Sequence, residues 1–279
     1  MKPDLKKKID RAIKLLKAAE RKAAEVGQPV EICYSGGKDS EVILELAKMA
    51  GINYRAIYKN TTIDPPGTIS HVLRKGVEMV RPKITFVELM KKKVWPSRQV
   101  RFCCSELKEY KILDYAVVGI RREESRKRAE RYQEPEICRV YNAKEKTRQY
   151  LPILDWTLQD VVDFLKERDI QCAPHYYDAD GEFHPERRLG CMGCPMMSRK
   201  QRIREFERHP NMVKLYLRGA TLQGEPLHAE ESAVFSQHLR VVCVLSLLRE
   251  HQRVQSPLWS QPVQRRRRLQ RVSGELFPH

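Results

Sequence analysis

Ser35-Gly36-Gly37-Lys38-Asp39-Ser40 is where the residue types and spacing of this chain most directly imply chemistry. A short apolar run, Val30–Tyr34, precedes it, and an apolar-periodic run, Glu41–Met49, follows. A strand, a glycine turn and a helix start in succession make an anion site. The first N–H groups of the helix lack partners, and the helix dipole favours negative charge there. Gly36 and Gly37 let the backbone approach phosphate oxygens. Ser35 and Ser40 add hydroxyls and Lys38 an ammonium. The spacing differs from a Walker A loop, whose glycines lie farther apart ahead of Gly-Lys-Ser/Thr. The plain alternative is an ordinary turn joining a strand to a helix.

Cysteines form the second group. Cys103-Cys104 and Cys191-x-x-Cys194 are separated by 86 residues. Four thiolates suit an iron–sulfur cluster or a structural zinc. Two adjacent cysteines fit one small tetrahedral ion awkwardly and the separate iron corners of a cubane more easily. The expectation is therefore a [4Fe–4S] cluster, with zinc and unliganded thiols as alternatives. Cys33, Cys138, Cys172 and Cys243 fall outside this spacing.

Charged residues complete the candidate set. Tyr115–Ile120 reads as a buried strand, so Arg121, Arg122 and Arg126 follow its C-terminal mouth. Guanidinium groups grip phosphate or sulfate through two parallel hydrogen bonds. Asp39 and Asp64 offer hard oxygens for Mg²⁺ against ATP phosphates, or else cap a helix and shape a turn.

The elements that must position these groups alternate. Residues 5–25 read as a basic helix with Leu5, Ile9, Ile13 and Leu16 on one stripe. Strands are expected at Glu31–Tyr34, Tyr54–Tyr58, Ile84–Glu88 and Tyr115–Ile120. Helices are expected at Glu41–Ala50, Ser70–Met79, 105–112, Leu158–Arg168 and Arg199–Arg208. Gly51 is a natural helix stop, and Thr157 with Asp160 a natural helix start. Residues 121–150 are arginine-rich without clear periodicity and read as a long active-site loop. This alternation predicts an α/β fold with a doubly wound, mostly parallel sheet and a cysteine-rich C-terminal segment.

Lysine plus arginine outnumber aspartate plus glutamate 53 to 36, a formal charge of +17, with a pI near 9.6. Such a field attracts polyanions, which makes nucleic acid, tRNA or DNA, a candidate partner. No apolar run reaches the roughly 18 residues of a membrane span, and the N-terminus has no apolar signal core, so a cytoplasmic location is expected. The surface chemistry changes after Lys214, where no lysine follows and nine arginines and seven glutamines do. The division expected is residues 1–27 as the basic helix, 28–215 as the main domain, and 216–279 as an Arg/Gln-rich tail. That tail reads as a fused extension, a disordered arm or a shifted frame, with Leu239–Leu248 as a possible helix.

Taken together the motifs resemble the phosphoadenosine phosphosulfate (PAPS) reductase family within the pyrophosphate-loop, adenine nucleotide alpha hydrolase superfamily. Ser35–Ser40 corresponds to the nucleotide loop, and Asn60–Pro66 lies where the family has an Asp-Thr-Gly-like loop. Gly119–Ser125 resembles its Gly-x-Arg-x-x-x-Ser segment. Pro152–Val161 resembles Pro-[LI]-x-x-Trp-Thr-x-x-Asp-Val, and Arg188–Cys194 resembles Arg-x-Gly-Cys-x-x-Cys. The resemblance implies nucleotide contacts from Ser35, Gly36, Gly37, Lys38, Asp39, Ser40, Asp64 and Arg126. It implies catalytic roles for Lys38, Asp39, Arg121 and Arg122, and a cluster on Cys103, Cys104, Cys191 and Cys194 with Lys108 beside it. ATP or adenylyl sulfate, Mg²⁺ and a sulfur or electron donor protein go with it.

Two departures from the family pattern matter. The family's reductases attack with a cysteine in a Glu-Cys-Gly-x-His-like motif, whereas this chain reads Gly274–His279 without one. Their loops are usually degenerate, whereas this one is intact, as in enzymes that bind ATP and expel pyrophosphate. Three functions follow: an ATP-dependent adenylating enzyme of sulfur transfer onto nucleic acid or a small acceptor, a sulfonucleotide reductase or relative, and a non-catalytic nucleotide- and cluster-holding nucleic-acid-binding protein.

Overall fold

The computed structural model describes residues 3–93 and 96–221 of the chain. The expected tail, including Leu239–Leu248 and Cys243, lies outside the described residues. So does Trp95.

β1 (Val30–Tyr34) begins a six-stranded sheet with β2 (Tyr54–Lys59), β3 (Glu78–Val80), β4 (Tyr115–Val117), β5 (Glu136–Val140) and β6 (Lys146–Tyr150). The order is β3-β2-β1-β4-β6-β5. β1 pairs parallel with β2 and β4, β2 with β3, and β4 with β6. β5 alone runs antiparallel, against β6. The sheet grows outward from β1 in both directions, which is the doubly wound arrangement expected from the sequence. Val30, Ile32 and Tyr34 are all buried, because a central parallel strand is covered on both faces.

Helix α1 (Pro3–Ala24) lays Leu5, Ile9, Ala12, Leu16, Ala19 and Ala23 into the main core. Burying Leu5, Ile9 and Leu16 contributes about 1.5–3 kcal/mol apiece. Helix α2 (Lys38–Ala50) stops at Gly51, whose φ of 64° is left-handed. Helix α3 (Thr68–Arg74) is shorter than the sequence expectation of Ser70–Met79. Gly76, at φ 67°, turns the chain so that Glu78–Val80 can pair with β2 instead.

Residues expected as a strand, Ile84–Glu88, instead enter helix α4 (Phe86–Lys93). Thr85 and Glu88 close its first turn: the Thr85 amide donates to Glu88 Oε2 at 2.8 Å and the Glu88 amide to Thr85 Oγ1 at 3.2 Å. Helix α5 (Phe102–Leu107) carries Cys103 and Cys104, several residues earlier than the helix expected at 105–112. The stretch 121–150 is not a continuous loop: it holds helix α6 (Arg126–Arg131) and the β5–β6 hairpin.

Helix α7 (Leu158–Glu167) starts with the expected Thr157–Asp160 capping box. Helix α8 (Arg199–Arg208) starts on a Ser198–Gln201 box, and α9 (Pro210–Thr221) follows. Helices α4, α5, α8 and α9 share a second core built on Phe86, Leu89, Met90, Phe102, Leu107, Phe206, Val213 and Tyr216. Among the described residues no helix is long and apolar enough to cross a membrane.

Candidate functional site

Loops 35–37, 60–67 and 118–121 leave the parallel strands β1, β2 and β4 at one edge of the sheet. The strand order reverses between β1 and β4, and open α/β sheets bind ligands in the crevice at such a point.

The 35–40 loop has the geometry of a cradle. Gly36 sits at φ 75°, where a side chain would be strained. A Cβ there would lie 3.3 Å from Leu189 Cδ2 and from Thr68 Cγ2. The Gly37 amide donates to Ser35 Oγ at 3.4 Å and the Lys38 amide to the Tyr176 hydroxyl at 3.2 Å. Both bonds are longer than the usual 2.9–3.0 Å, so the amides are only loosely engaged. Ser40 Oγ donates to the Gly37 carbonyl at 2.7 Å, which fixes the turn. The Thr68 hydroxyl is buried beside the loop and has no hydrogen-bond partner. An orphaned donor of this kind and loosely held amides fit an anionic oxygen.

Lys38, Asp39 and Arg121 form one unit. Lys38 Nζ donates to Asp39 Oδ2 at 2.9 Å, and Arg121 Nε donates to Asp39 Oδ1 at 2.7 Å. Arg121, only 3% exposed, also donates to Glu123 Oε2 at 2.7 Å. This approach requires Gly119: a Cβ there would stand 3.0 Å from the Asp39 carbonyl oxygen. Both Asp39 oxygens are thus engaged, and the carboxylate positions Lys38 and Arg121. Asp64 accepts from the Thr61 amide at 2.9 Å and the Thr61 hydroxyl at 2.8 Å, shaping its own turn.

The other expected arginines point elsewhere. Arg122 donates to Asp155 and to the carbonyls of Tyr132 and Gln133, tying down the chain before β5. Arg126 is exposed and pairs with Glu130 at 2.9 Å. Arg128 pairs with Glu124 and lies near enough to Arg188 and Asp39 to feel both charges. Burial and then the charge of Arg188 lower the Arg128 pKa, and nearby Asp39 offsets them.

Sequence reasoning also missed what lies behind the loop. Tyr176 is buried, and its hydroxyl pKa is raised by that burial. Glu41, one residue past the loop motif, is buried and accepts from the Tyr34 hydroxyl, from His71 Nε2 at 2.5 Å and from Lys75 Nζ at 3.2 Å. This network ties the first turn of α2 to β1 and α3. A glutamate on the buried face of a helix was its sequence signal.

At the cysteine end, Cys103 and Cys104 on α5 face the Cys191–Cys194 turn, and all four are free thiols. Hydrogen bonding between the adjacent thiols raises the Cys103 pKa and lowers that of Cys104 to about 6. Burial opposes the charge of Lys108, yet Cys191, Asp64 and Cys104 around it hold its pKa above the ordinary lysine value. The turn itself is clamped. The Met192 amide donates to the Ile63 carbonyl at 2.8 Å, the Gly193 amide to Glu205 Oε2 at 2.5 Å, and the Tyr216 hydroxyl to the Met192 carbonyl at 2.7 Å. Cys191 Sγ lies 3.6 Å from Thr61 Oγ1.

The soft, all-thiol donor set fits an iron–sulfur cluster by its chemistry. As arranged, however, it is not a formed centre. Among the described residues no three His, Cys, Asp or Glu side chains converge to hold a metal ion.

Comparison with known proteins adds a family and some relatives. The phosphoadenosine phosphosulfate reductase domain matches residues 29–197. An uncharacterised protein of Methanocaldococcus jannaschii is 27% identical over 202 residues, covering 67% of this chain and 46% of that protein. The tRNA-cytidine(32) 2-sulfurtransferase of Hahella chejuensis is 31% identical over 122 residues, covering 40% of this chain and 41% of that enzyme. The chain thus spans less than half the length of these curated relatives. Among solved structures, FMN adenylyltransferase of Candida glabrata with FAD and pyrophosphate aligns with a TM-score of 0.46 at 15% identity, covering 68% of this chain and 63% of that one. Phosphoadenylyl-sulfate reductase of Candida auris aligns at 0.40 and 17%, covering 58% and 81%.

Proposed function

The chain belongs to the phosphoadenosine phosphosulfate reductase domain family, and we propose that it is an ATP-dependent adenylating enzyme of sulfur transfer. The observation that carries this reading is the intact cradle at residues 35–40, with its loosely engaged amides, its orphaned Thr68 hydroxyl and Lys38 alongside.

An acceptor oxygen attacks the α-phosphorus of ATP. The bond from that phosphorus to the bridging oxygen breaks, pyrophosphate leaves with the electron pair, and AMP remains on the acceptor. Hydrosulfide then attacks the adenylated carbon, and AMP departs with the electrons of the broken C–O bond.

The residues of the chain serve the first step. The amides of Gly37 and Lys38 and the Thr68 hydroxyl receive phosphate oxygens. The Lys38 ammonium exchanges Asp39 for the charge growing on the leaving pyrophosphate, where fixed donors are most effective. Arg121 stays on Asp39 and keeps that carboxylate from following Lys38. Arg128 and Arg188 balance the remaining phosphate charge. Cys103, Cys104, Cys191 and Cys194 would hold a [4Fe–4S] cluster beside Lys108, and such a cluster supplies a place for electrons or a sulfur atom. The acceptor class we favour is nucleic acid, supported by the chain's charge of +17 and by the similarity to a tRNA sulfurtransferase.

The test uses protein purified without oxygen, Mg²⁺ and α-labelled ATP, with and without total tRNA or DNA. Release of AMP and pyrophosphate stimulated by one nucleic acid is the expected result. A second reading, a sulfonucleotide reductase relative, is favoured by the family match itself. Tight binding of adenylyl sulfate without any ATP cleavage would establish it and sink the first.

A further inference from the structure

Helix α8 breaks the ordinary rules of helix electrostatics. Lys200, Arg204 and Arg208 recur every four residues, so they lie one above another on a single face. All three are exposed, and none forms an ion pair among the described residues. Like charges four apart destabilise a helix by about 0.2–0.5 kcal/mol per pair. Its first turn holds Arg199 and Lys200 and no acidic residue, which opposes the dipole. The carboxylates that could relieve the stripe are directed elsewhere: Glu205 accepts the Gly193 amide, and Glu207 pairs with none of the three. A local rule broken on an exposed face, without compensation among the described residues, points to a partner beyond them.

The placement of the stripe says which partner. Its first turn stands beside the cysteine turn, where Arg98 donates to the carbonyls of Pro195 and Met197 at 3.0 Å each. Its last turn reaches the nucleotide side, where Arg208 and His209 act electrostatically on His175 together with Arg187. Lys200 and Arg208 are eight residues apart, so the stripe runs about 12 Å between the two candidate centres. A compact anion would meet only one end. A phosphodiester backbone presents a regular row of charges and would meet all of it.

We propose that the Lys200, Arg204 and Arg208 face of α8 is the track that holds the phosphate backbone of a polynucleotide acceptor, laying one of its nucleotides across the space between the 35–40 loop and the cysteine turn. This deepens, and rests on, the reading of the chain as a nucleic-acid-modifying enzyme. RNA and DNA share the backbone chemistry, and the test separates them.

Fluorescence anisotropy of the full chain is measured against labelled tRNA, a mixed-sequence single-stranded DNA and its duplex, across a salt series. K200E/R204E/R208E is compared with the charge-conserving K200R/R204K/R208K. The expected result is a loss of at least 10-fold in affinity for the preferred probe in the first variant. Its salt slope should also shrink by about 2, since three contacts count about 0.7 each on a single strand. The second variant should keep both affinity and slope. The tightest probe identifies RNA or DNA as the source. Equal affinity of the charge-reversed and native chains for every probe overturns the proposal, as does an equal loss in both variants. ATP affinity, read separately by calorimetry, should not change in either. ATP cleavage without any polynucleotide binding would leave the adenylation reading standing for a small acceptor and remove the track. Polynucleotide binding through α8 without ATP cleavage would do the reverse.

Discussion

The nucleotide end and the cysteine end of the molecule are secured by different physics. At the nucleotide end the functional groups hang from the C-terminal edges of β1 and β4, two neighbours in the parallel ladder. Their charges are already matched: Asp39 holds Lys38 and Arg121, and Glu41 gathers Tyr34, His71 and Lys75. At the cysteine end two segments 86 residues apart meet on an aromatic second core. Their thiols are close enough to perturb one another and do not form a centre. The first region has its charged groups already paired around a glycine turn, whereas the second holds four free thiols that do not converge on a metal site among the described residues.

That contrast predicts the largest effect at Gly193. A methyl there would stand 2.6 Å from Phe206 Cζ and 2.8 Å from the Tyr216 hydroxyl, at a φ of 66°. Left-handed strain costs about 1–2 kcal/mol and overpacking about 1–3 kcal/mol, so Gly193→Ala should destabilise by about 2–5 kcal/mol. Thiol labelling of the four cysteines should accelerate while ATP affinity holds. An equal loss of ATP affinity would show that the two regions form one cooperative unit.

Lys38→Ala tests the other end. If Lys38 meets the leaving pyrophosphate, ATP cleavage should fall about 10²-fold, the effect of losing one charge-stabilising donor. Denaturation should barely move, since Asp39 keeps Arg121. Cysteine labelling rates should stay as they were. A variant that cleaves ATP at the native rate would remove Lys38 from the mechanism.

These two regions also differ in how far they could be read beforehand. The strand–turn–helix geometry of the loop was legible because its three parts are contiguous in the chain. The same held for Gly51 and for the box at Thr157–Asp160, which satisfies orphan amides locally. Ile84–Glu88 misled because β-branched and aromatic residues favour strands. The Thr85–Glu88 box and burial of Phe86, Leu89 and Met90 at helical spacing outweigh that preference. The β5–β6 hairpin hid because its strands carry arginine, lysine and glutamate on the exposed side of an edge. Tyr176, Glu205 and Tyr216 were invisible for a simpler reason. Each meets its partner across the fold, and no spacing in the chain encodes such a contact.

Tyr176→Phe is a finer probe of the nucleotide end. The substitution removes the oxygen that accepts the Lys38 amide and leaves the ring in place. Losing one hydrogen bond is worth about 1 kcal/mol, so ATP affinity should change by roughly five-fold or less. The direction discriminates. A tighter complex means the hydroxyl competes with phosphate for that amide, and a weaker one means it aims the amide at the ligand. No change in either affinity or turnover would make Tyr176 a packing residue only.

The smallest expected effect concerns protons between the two ends. His175 is partly buried among Arg187, Arg208 and His209, and burial first, then those charges, lower its pKa from the ordinary 6.5. The unfolded chain therefore takes up a proton that the folded chain refuses as pH falls through 6.5. Stability from this residue is complete above that pH and is lost below it. Melting temperatures compared at about pH 7.5 and about pH 5.5 should show a larger drop for the native chain than for His175→Gln, by roughly 2 °C or less. Adding a polynucleotide sharpens the comparison. A phosphate backbone laid along α8 would offset Arg208 and His209, so bound nucleic acid should raise the His175 pKa and shrink the native chain's acid loss. An acid loss that is the same with and without nucleic acid would mean that the backbone does not reach the last turn of α8.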